Sequence, residues 1–337
     1  MPQLRKDPLT NRWVVVNYEV PKKAAAYPQG SVREKSSKAC PFCPGNEAMT
    51  PPEIALYSKK IATQKAPAPS PWQVRVIPNK FPALRIEEKL EKNANGVYDK
   101  LGGFGAHEVI IENPDHDKEI ADLNVEDVAL ILKVYRDRCL DLKKDARFKY
   151  ILIFKNYGAA AGASLEHPHS QLIGLPIVPS RVKGEVKGAS RHHEFTERCI
   201  FCDMLDQERE EHKLSIHEEA GYVAMAPFAS RFPFETWILP QKHEASFDAI
   251  TDDGILGLAN VLKSTLLRIK KALKDPAYNF MIHTLPINEK SHETFHWHIE
   301  IIPHLTQVAG FELGTGFYLN PTPPETAARA LKDTPLD

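Results

Sequence analysis

The stretch Tyr150-Ile-Leu-Ile-Phe-Lys-Asn156-Tyr-Gly158-Ala-Ala-Ala-Gly162-Ala-Ser164-Leu-Glu-His167-Pro-His169-Ser-Gln171 decides the fold. Tyr150 to Phe154 mixes β-branched and aromatic residues and predicts a strand that delivers Asn156. A Gly/Ala-rich loop follows, small enough for its backbone to approach a phosphate. His167, His169 and Gln171 then share one face of a second strand, because side chains alternate with period two. The chain says much the same thing again later. Tyr278 to His283 predicts a strand, and His296-Trp-His298 closes that segment as His167-Pro-His169 closes the first.

Outward from these two points the parallel continues. Cys40-Pro-Phe-Cys43 precedes the first segment and Cys199-Ile-Phe-Cys202 the second. The run Val74 to Pro82 and the strand with His107 correspond to Tyr222 to Phe234 and to the strand ending at His243. Between them lie two helices with one apolar face each. From Val125 the apolar positions are Val128, Ala129, Leu132, Tyr135, Cys139 and Leu142; from Ile255 they are Leu258, Ala259, Leu262, Leu266, Ile269 and Leu273. Asn124 and Thr251 are the expected N-caps. Cys139, on the apolar face, reads as a small buried hydrophobe. The pattern is an α+β fold made by duplication, each half a mainly antiparallel sheet with one long helix packed on it. The halves are expected at 1–180 and 195–337, with a boundary in the polar stretch 179–198. The Gly-rich tail 310–318 lies outside the repeat, and Glu325 to Lys332 predicts a short terminal helix.

Composition bounds the partners. The 43 Lys and Arg balance 44 Asp and Glu, giving a net charge of −1, which excludes a nucleic-acid coat or a protein held on membranes by charge. No uncharged apolar run approaches the ~20 residues that cross a bilayer. Met1 to Asn11 has no apolar signal core, so a cytoplasmic chain with reduced cysteines is expected.

Each Cys-x-x-Cys pair places two thiolates on one turn, and a tetrahedral zinc needs two more ligands. The first half offers Cys40, Cys43, His107 and His167; the second offers Cys199, Cys202, His243 and His296. His283, His292 and His298 compete with His296 in the second set. Two Zn²⁺ per chain are expected, each tying an N-terminal turn to a distant strand. In the catalytic stretch, a neutral imidazole at His169 is a good nucleophile for phosphorus. Its other ring nitrogen needs a fixed acceptor, and Asn156, Ser164 and Gln171 are suitable donors to the phosphate. The competing reading makes His169 a second metal ligand or a structural histidine.

The run Asn156-x-Gly158-Ala-x-x-Gly162-x-Ser164-x-x-His167-Pro-His169-x-Gln171 resembles the active-site signature of the galactose-1-phosphate uridylyltransferase family, a branch of the histidine-triad superfamily. The resemblance covers nearly the whole chain and implies a duplicated histidine-triad-like fold. It implies that His169 carries a nucleoside monophosphate, that Gln171 and Ser164 hold its phosphate, and that Asn79, Asn156, Gly158, Gly162, Glu312 and Lys23 contact substrate. It also implies ping-pong exchange between a nucleotide sugar and a sugar 1-phosphate, and a homodimer. Departures stand at Lys80, Ser170 and Tyr318, and at Tyr18 to Lys23, where those enzymes carry arginines. Cys199, Cys202, His243 and His296 suit zinc where those enzymes hold a Glu/His₃ metal. The second cysteine pair, the His-Ser-Gln run and the tail 310–321 also resemble the ADP-glucose phosphorylase-like branch, which transfers AMP and accepts inorganic phosphate. The expected reaction is UMP transfer between UDP-glucose and a hexose 1-phosphate, with ADP-glucose phosphorolysis as the alternative. Beyond those two lie a nucleotide hydrolase and a non-catalytic zinc module.

Overall fold

The computed structural model describes residues 2–16, 23–24, 27, 40–58 and 72–336. The Tyr18 to Lys22 part of the expected basic segment lies outside the described residues. In chain order the elements are β1 (Gln3–Lys6), β2 (Trp13–Val16), β3 (Ala55–Tyr57), β4 (Val74–Pro78), β5 (Lys92–Asn95), β6 (Tyr98–Leu101) and β7 (Ala106–Ile111). Then come α1 (Val125–Leu142), β8 (Tyr150–Tyr157), β9 (His169–Leu175), α2 (Ser180–Thr196) and α3 (Ile200–Glu211). The second set of strands is β10 (Ser215–Glu219), β11 (Tyr222–Met225) and β12 (Thr236–Pro240), followed by α4 (Asp252–Leu273), β13 (Tyr278–His283) and β14 (His298–Pro303). The chain ends with α5 (Gly310–Thr315), β15 (Tyr318–Asn320) and α6 (Pro324–Lys332).

Ten strands form one sheet in the order β10-β11-β12-β14-β13-β8-β9-β7-β4-β3. Read inward from either edge, the order is the same, so an approximate twofold relates the halves and passes between β8 and β13. Those two pair antiparallel from Tyr278↔Tyr157 to Ile282↔Ile153. The halves expected at 1–180 and 195–337 therefore share one sheet. A separate three-stranded sheet, β1-β2-β15, brings the N-terminus beside the C-terminal tail.

One face of the large sheet is covered by α1 and α4, and a single apolar core runs beneath both. The predicted caps hold: Asn124 accepts from the Asp127 amide at 2.8 Å, and Thr251 accepts from the Gly254 amide at 3.1 Å. Each is worth about 1 kcal/mol. Cys139 is buried as expected. The opposite face carries two smaller cores built around the cysteine pairs. Phe42, Trp72, Ile77, Val109 and Ile111 gather around Cys40 in one; Phe201, Met225, Trp237, Leu239 and Phe295 gather around Cys199 in the other.

The polar stretch 179–198, expected as a boundary, folds as the helix α2. It reads as a linker because only a narrow strip is covered, with Val182, Glu185, Gly188 and Ala189 buried. That spacing is helical, but a charged residue and a glycine within the strip hide it.

Candidate active site and metal centres

The Cys40–Cys43 turn, the start of α3 with Cys199 and Cys202, and the two His-x-His segments meet on the face opposite α1 and α4. In the first half the thiol of Cys43 lies 3.5 Å from His167 Nδ1 and 3.3 Å from His116 Nδ1. Cys40, Cys43, His116 and His167 present their ligand atoms within 4.8 Å of one another. His116 stands where His107 was expected. In the second half the group is Cys199, Cys202, His243 and His296, with Cys202 Sγ 3.5 Å from His243 Nδ1 and 3.7 Å from His296 Nδ1.

The chemistry of both donor sets fits a divalent metal of the zinc type. His167 Nε2 donates to the Asn113 carbonyl at 2.9 Å, His296 Nε2 to Pro240 at 2.9 Å, and His243 Nε2 to His292 at 2.8 Å. Each carbonyl fixes the proton on Nε2 and leaves the Nδ1 lone pair facing the thiols, the outer support that metal-binding histidines use. All four cysteines are free thiols. Burial and the neighbouring Cys40 push Cys43 up to about 11, so a bound cation would be needed to draw both thiolates into one site.

The position of His107 has a geometric cause. On β7 and β9 the pairs His107↔Ile173, Val109↔Gln171 and Ile111↔His169 share one face. His107 is thus on the correct face but four residues back along the strand from the cysteine end, roughly 13 Å at 3.3–3.4 Å per residue. Asn113 to Asp117 reverses the chain past the strand end and swings His116 over Cys43. The duplication carried this signal: His243 also lies just beyond the end of its strand, β12.

His169 begins β9 and is buried, with 7% of its surface exposed. Its Nδ1 donates to the His167 carbonyl at 2.7 Å, which leaves Nε2 as the lone-pair nitrogen. Burial, with the Lys155 charge behind it, pushes the imidazolium down to about 4, so the ring is neutral near pH 7. Phe42 packs edge-on against the ring at 5.4 Å. His167, whose carbonyl fixes the His169 ring, is therefore also the residue whose Nδ1 faces Cys43.

A buried polar network underlies this strand on the side facing α1. Lys155 lies 2.6 Å from Glu112 and 2.9 Å from Glu119, and its Nζ reaches the His169 carbonyl at 3.4 Å. Ser170 and Tyr135 complete it through Glu112. Burial alone would discharge Lys155, but the two carboxylates outweigh it and raise its pKa. Sequence reading passed over these residues, although Lys155 interrupts the apolar run of β8 and Glu112 directly follows the apolar end of β7.

The Gly/Ala loop after β8 is held at both ends. Gly158 and Gly162 adopt φ values of 80° and 84°, and a side chain at Gly158 would meet Ala277 at 2.9 Å. Asn279 Nδ2 donates to the Ala161 carbonyl at 2.9 Å and to Asn156 Oδ1 at 2.8 Å. Among the described residues the Asn156 amide nitrogen is left over as a donor beside Gly162. Ser164 is exposed on this loop. Asn79 and Gln171 converge with His107 on the same face as His169. Lys23 is exposed, and Glu312 accepts from the Ala309 amide at 3.0 Å to cap α5. Among the described residues no hydrogen bond joins either of them to His169.

A third grouping, Glu185, His283 and His298, lies in the second half. It does not fit a metal as it stands. His283 Nδ1 is 2.9 Å from Glu185 and its Nε2 is 3.2 Å from Glu300, so both ring nitrogens are committed to carboxylates. Burial alone would lower this histidine, but Glu185 and Glu300 raise it to about 9, and the imidazolium is itself the cation of the cluster.

Residues 1–179 match the family described as galactose-1-phosphate uridyl transferase, N-terminal domain. The chain is 37% identical to an ADP-glucose phosphorylase of Arabidopsis thaliana over 99% of its length and 93% of that protein's. It is 28% identical to a galactose-1-phosphate uridylyltransferase of Thermotoga maritima, covering both chains entirely. The crystal structure of an Arabidopsis thaliana ADP-glucose phosphorylase with bound ADP-glucose superposes with a TM-score of 0.82 at 35% identity over both whole chains.

Proposed function

The chain belongs to the galactose-1-phosphate uridylyltransferase family, as an enzyme of its nucleotidyltransferase and phosphorylase group, and from that premise we propose that it splits ADP-glucose with inorganic phosphate through an adenylyl-His169 intermediate. The observation that carries the mechanism is the His169 ring, buried, neutral, and with Nδ1 tied to the His167 carbonyl. The full-length 37% identity to an ADP-glucose phosphorylase favours the adenylyl branch. Uridylyl transfer from UDP-glucose to a hexose 1-phosphate is the second reading, favoured by the Thermotoga maritima relative.

In the first step His169 Nε2 attacks the α-phosphorus of ADP-glucose. The bond to the bridging oxygen breaks, and glucose 1-phosphate leaves with that electron pair. The new N–P bond puts positive charge on the ring, which the Nδ1–H bond to His167 stabilises. In the second step an oxygen of inorganic phosphate attacks the same phosphorus, releases neutral His169 and gives ADP. The amide groups of Gln171 and Asn156 and the Ser164 hydroxyl donate to the phosphate oxygens as charge builds. The open Gly158–Gly162 backbone lets the phosphate approach. Zinc in each Cys₂His₂ group would be structural, with four protein ligands and no open position. In the first half it would also hold the His167 backbone, and with it the nucleophile. The exposed apolar side chains Leu4 and Leu319 on the small sheet, and Phe311 and Leu313 on α5, favour a homodimer, which sedimentation would report.

The test is an intact mass at neutral pH after brief incubation with ADP-glucose and, separately, with UDP-glucose. An AMP-sized adduct that phosphate discharges as ADP supports the proposal. A UMP-sized adduct moves the protein to the second reading. No adduct from either sugar nucleotide would sink the covalent mechanism.

A further inference from the structure

His107 lies outside the metal centre, and its surroundings give it another task. It stands on β7 one register step diagonally from Gln171, which pairs with Val109. Its Nε2 lies 2.8 Å from Gln171 Oε1, and its Nδ1 lies 3.1 Å from the Ala83 amide nitrogen. A backbone amide has a fixed proton and can only donate. Nδ1 of His107 therefore carries the lone pair, Nε2 carries the hydrogen, and that hydrogen is given to Gln171.

The same loop fixes the neighbour. The Phe81 amide donates to Asn79 Oδ1 at 2.9 Å, so the Asn79 amino group turns inward toward Gln171, 3.5 Å from Oε1. His107 Nε2 and Asn79 Nδ2 lie 3.1 Å apart as two donors converging on one acceptor. With its oxygen held by both, Gln171 has only one orientation left. Its amino group is the end not bound to His107 and Asn79. A glutamine turned the other way would present an oxygen to a phosphate and repel it.

We infer that His107 is a positioning residue for nucleotidyl transfer: two backbone amides of the Pro78–Ala83 loop set its tautomer and the Asn79 amide, and these aim the Gln171 amino group at the phosphate carried by His169. This inference rests on the nucleotidyl-histidine reading above. It also makes the loop that bears Asn79 part of the phosphate site, so the site is set from β4 as well as from β9.

The test is a double-mutant cycle on the rate of nucleotidyl-enzyme formation from ADP-glucose or UDP-glucose, whichever labels the wild-type protein. His107→Leu should slow labelling about 10- to 100-fold, a part of the 10²–10³ that a lost transition-state donor costs. KM should move far less than kcat, and zinc content and melting temperature should stay at wild-type values. His107→Gln, which places an N–H near the position of Nε2, should recover most of the rate. In the Gln171→Leu background His107→Leu should cost almost nothing further, because the residue acts through Gln171. Imidazole ¹⁵N shifts should report hydrogen on Nε2 of His107. Undiminished labelling by His107→Leu, an equal loss in both backgrounds, hydrogen on Nδ1, or the loss of a zinc equivalent would each overturn the inference. A wild-type protein that takes no label would instead overturn the nucleotidyl-histidine reading on which it rests.

Discussion

The two His-x-His strands occupy equivalent places in one sheet, yet their surroundings differ. Phe42 stands 6.1 Å from His167 and 5.4 Å from His169; Phe201 stands 5.9 Å from His296 and 5.3 Å from His298. In both, the second histidine gives its Nδ1 hydrogen to the carbonyl of the first, at 2.7 Å and 3.2 Å. The difference lies in what surrounds the ring. Val109 pairs with Gln171 in the first half, and Trp237 pairs with Glu300 at the same step of the second. Two residues beyond the β8 and β13 partners of that pair stand Asn156 and His283. His298 is stacked between Trp237 at 4.8 Å and His283 at 4.7 Å, and burial pushes it down to about 3. Glu300 is taken up by Arg181, Arg231 and His283. The backbone frame supplies a neutral histidine twice, and the neighbouring side chains decide whether an amide or a stack of rings lies beside it.

The sharpest way to break this comparison is to remove each histidine in turn. His169→Asn should lose the nucleotidyl adduct and at least about 10⁴-fold in turnover, as expected for a covalent nucleophile. His298→Asn should still form the adduct; if that variant folds and takes no label, the second half is not a silent copy. Exchanging the residue two positions on separates stability from chemistry. Glu300→Gln leaves Arg231 buried without its full counter-charge and should cost about 3–5 kcal/mol in denaturant unfolding. Gln171→Glu should keep its unfolding midpoint but lose transfer, because a carboxylate would face the phosphate.

The two Cys₂His₂ groups sharpen the comparison next. Cys40→Ser and Cys199→Ser should each remove one equivalent of zinc on metal analysis and lower the melting temperature, because each ion would join distant segments. Only the Cys40 variant should also slow adduct formation, since on the proposed mechanism only that group holds the backbone beside the nucleophile. His116→Ala should behave like Cys40→Ser. Equal metal loss from His107→Ala would contradict the placement of these two residues. The smallest effect concerns pH. His283 is raised from 6.5 to about 9, so its stabilising charge is complete below about 6.5 and fades as pH rises through about 9. Stability should fall between pH 7 and 9.5 by an amount on the order of 1–3 kcal/mol. His283→Asn should show a flatter profile, and an identical slope in both proteins would disprove the linkage.

The helices α1, α4 and α6, the caps at Asn124 and Thr251, the central strands of each half and the grouping of Cys199, Cys202, His243 and His296 were legible in the chain. They depend on local periodicity and on residues that lie close in sequence to the element they serve. Less legible were α2, whose buried strip holds Glu185 and Gly188, the helices α3 and α5, and the Lys155–Glu112–Glu119 cluster, whose members lie in or after apolar strands with no spacing that links them. The His107 and His116 exchange is the clearest case. Alternation places His107 on the face of His169, but how far along the strand a metal sits depends on where the chain turns back.

By itself the sequence determined that the chain is a duplicated α+β protein, that two thiol pairs face two histidine strands, and that His169 and Gln171 share a face behind a glycine loop. Residue type and period two or 3.6 are sufficient for that. Only the tertiary structure decided which histidine joins Cys40, Cys43 and His167, which nitrogen of His107 carries its hydrogen, and why His298 is stacked between Trp237 and His283 while His169 shares its face with Gln171, Asn79 and His107. Those outcomes depend on backbone amides, carbonyls and side chains from far along the chain meeting at distances near 3 Å, and no one-dimensional pattern encodes such a meeting.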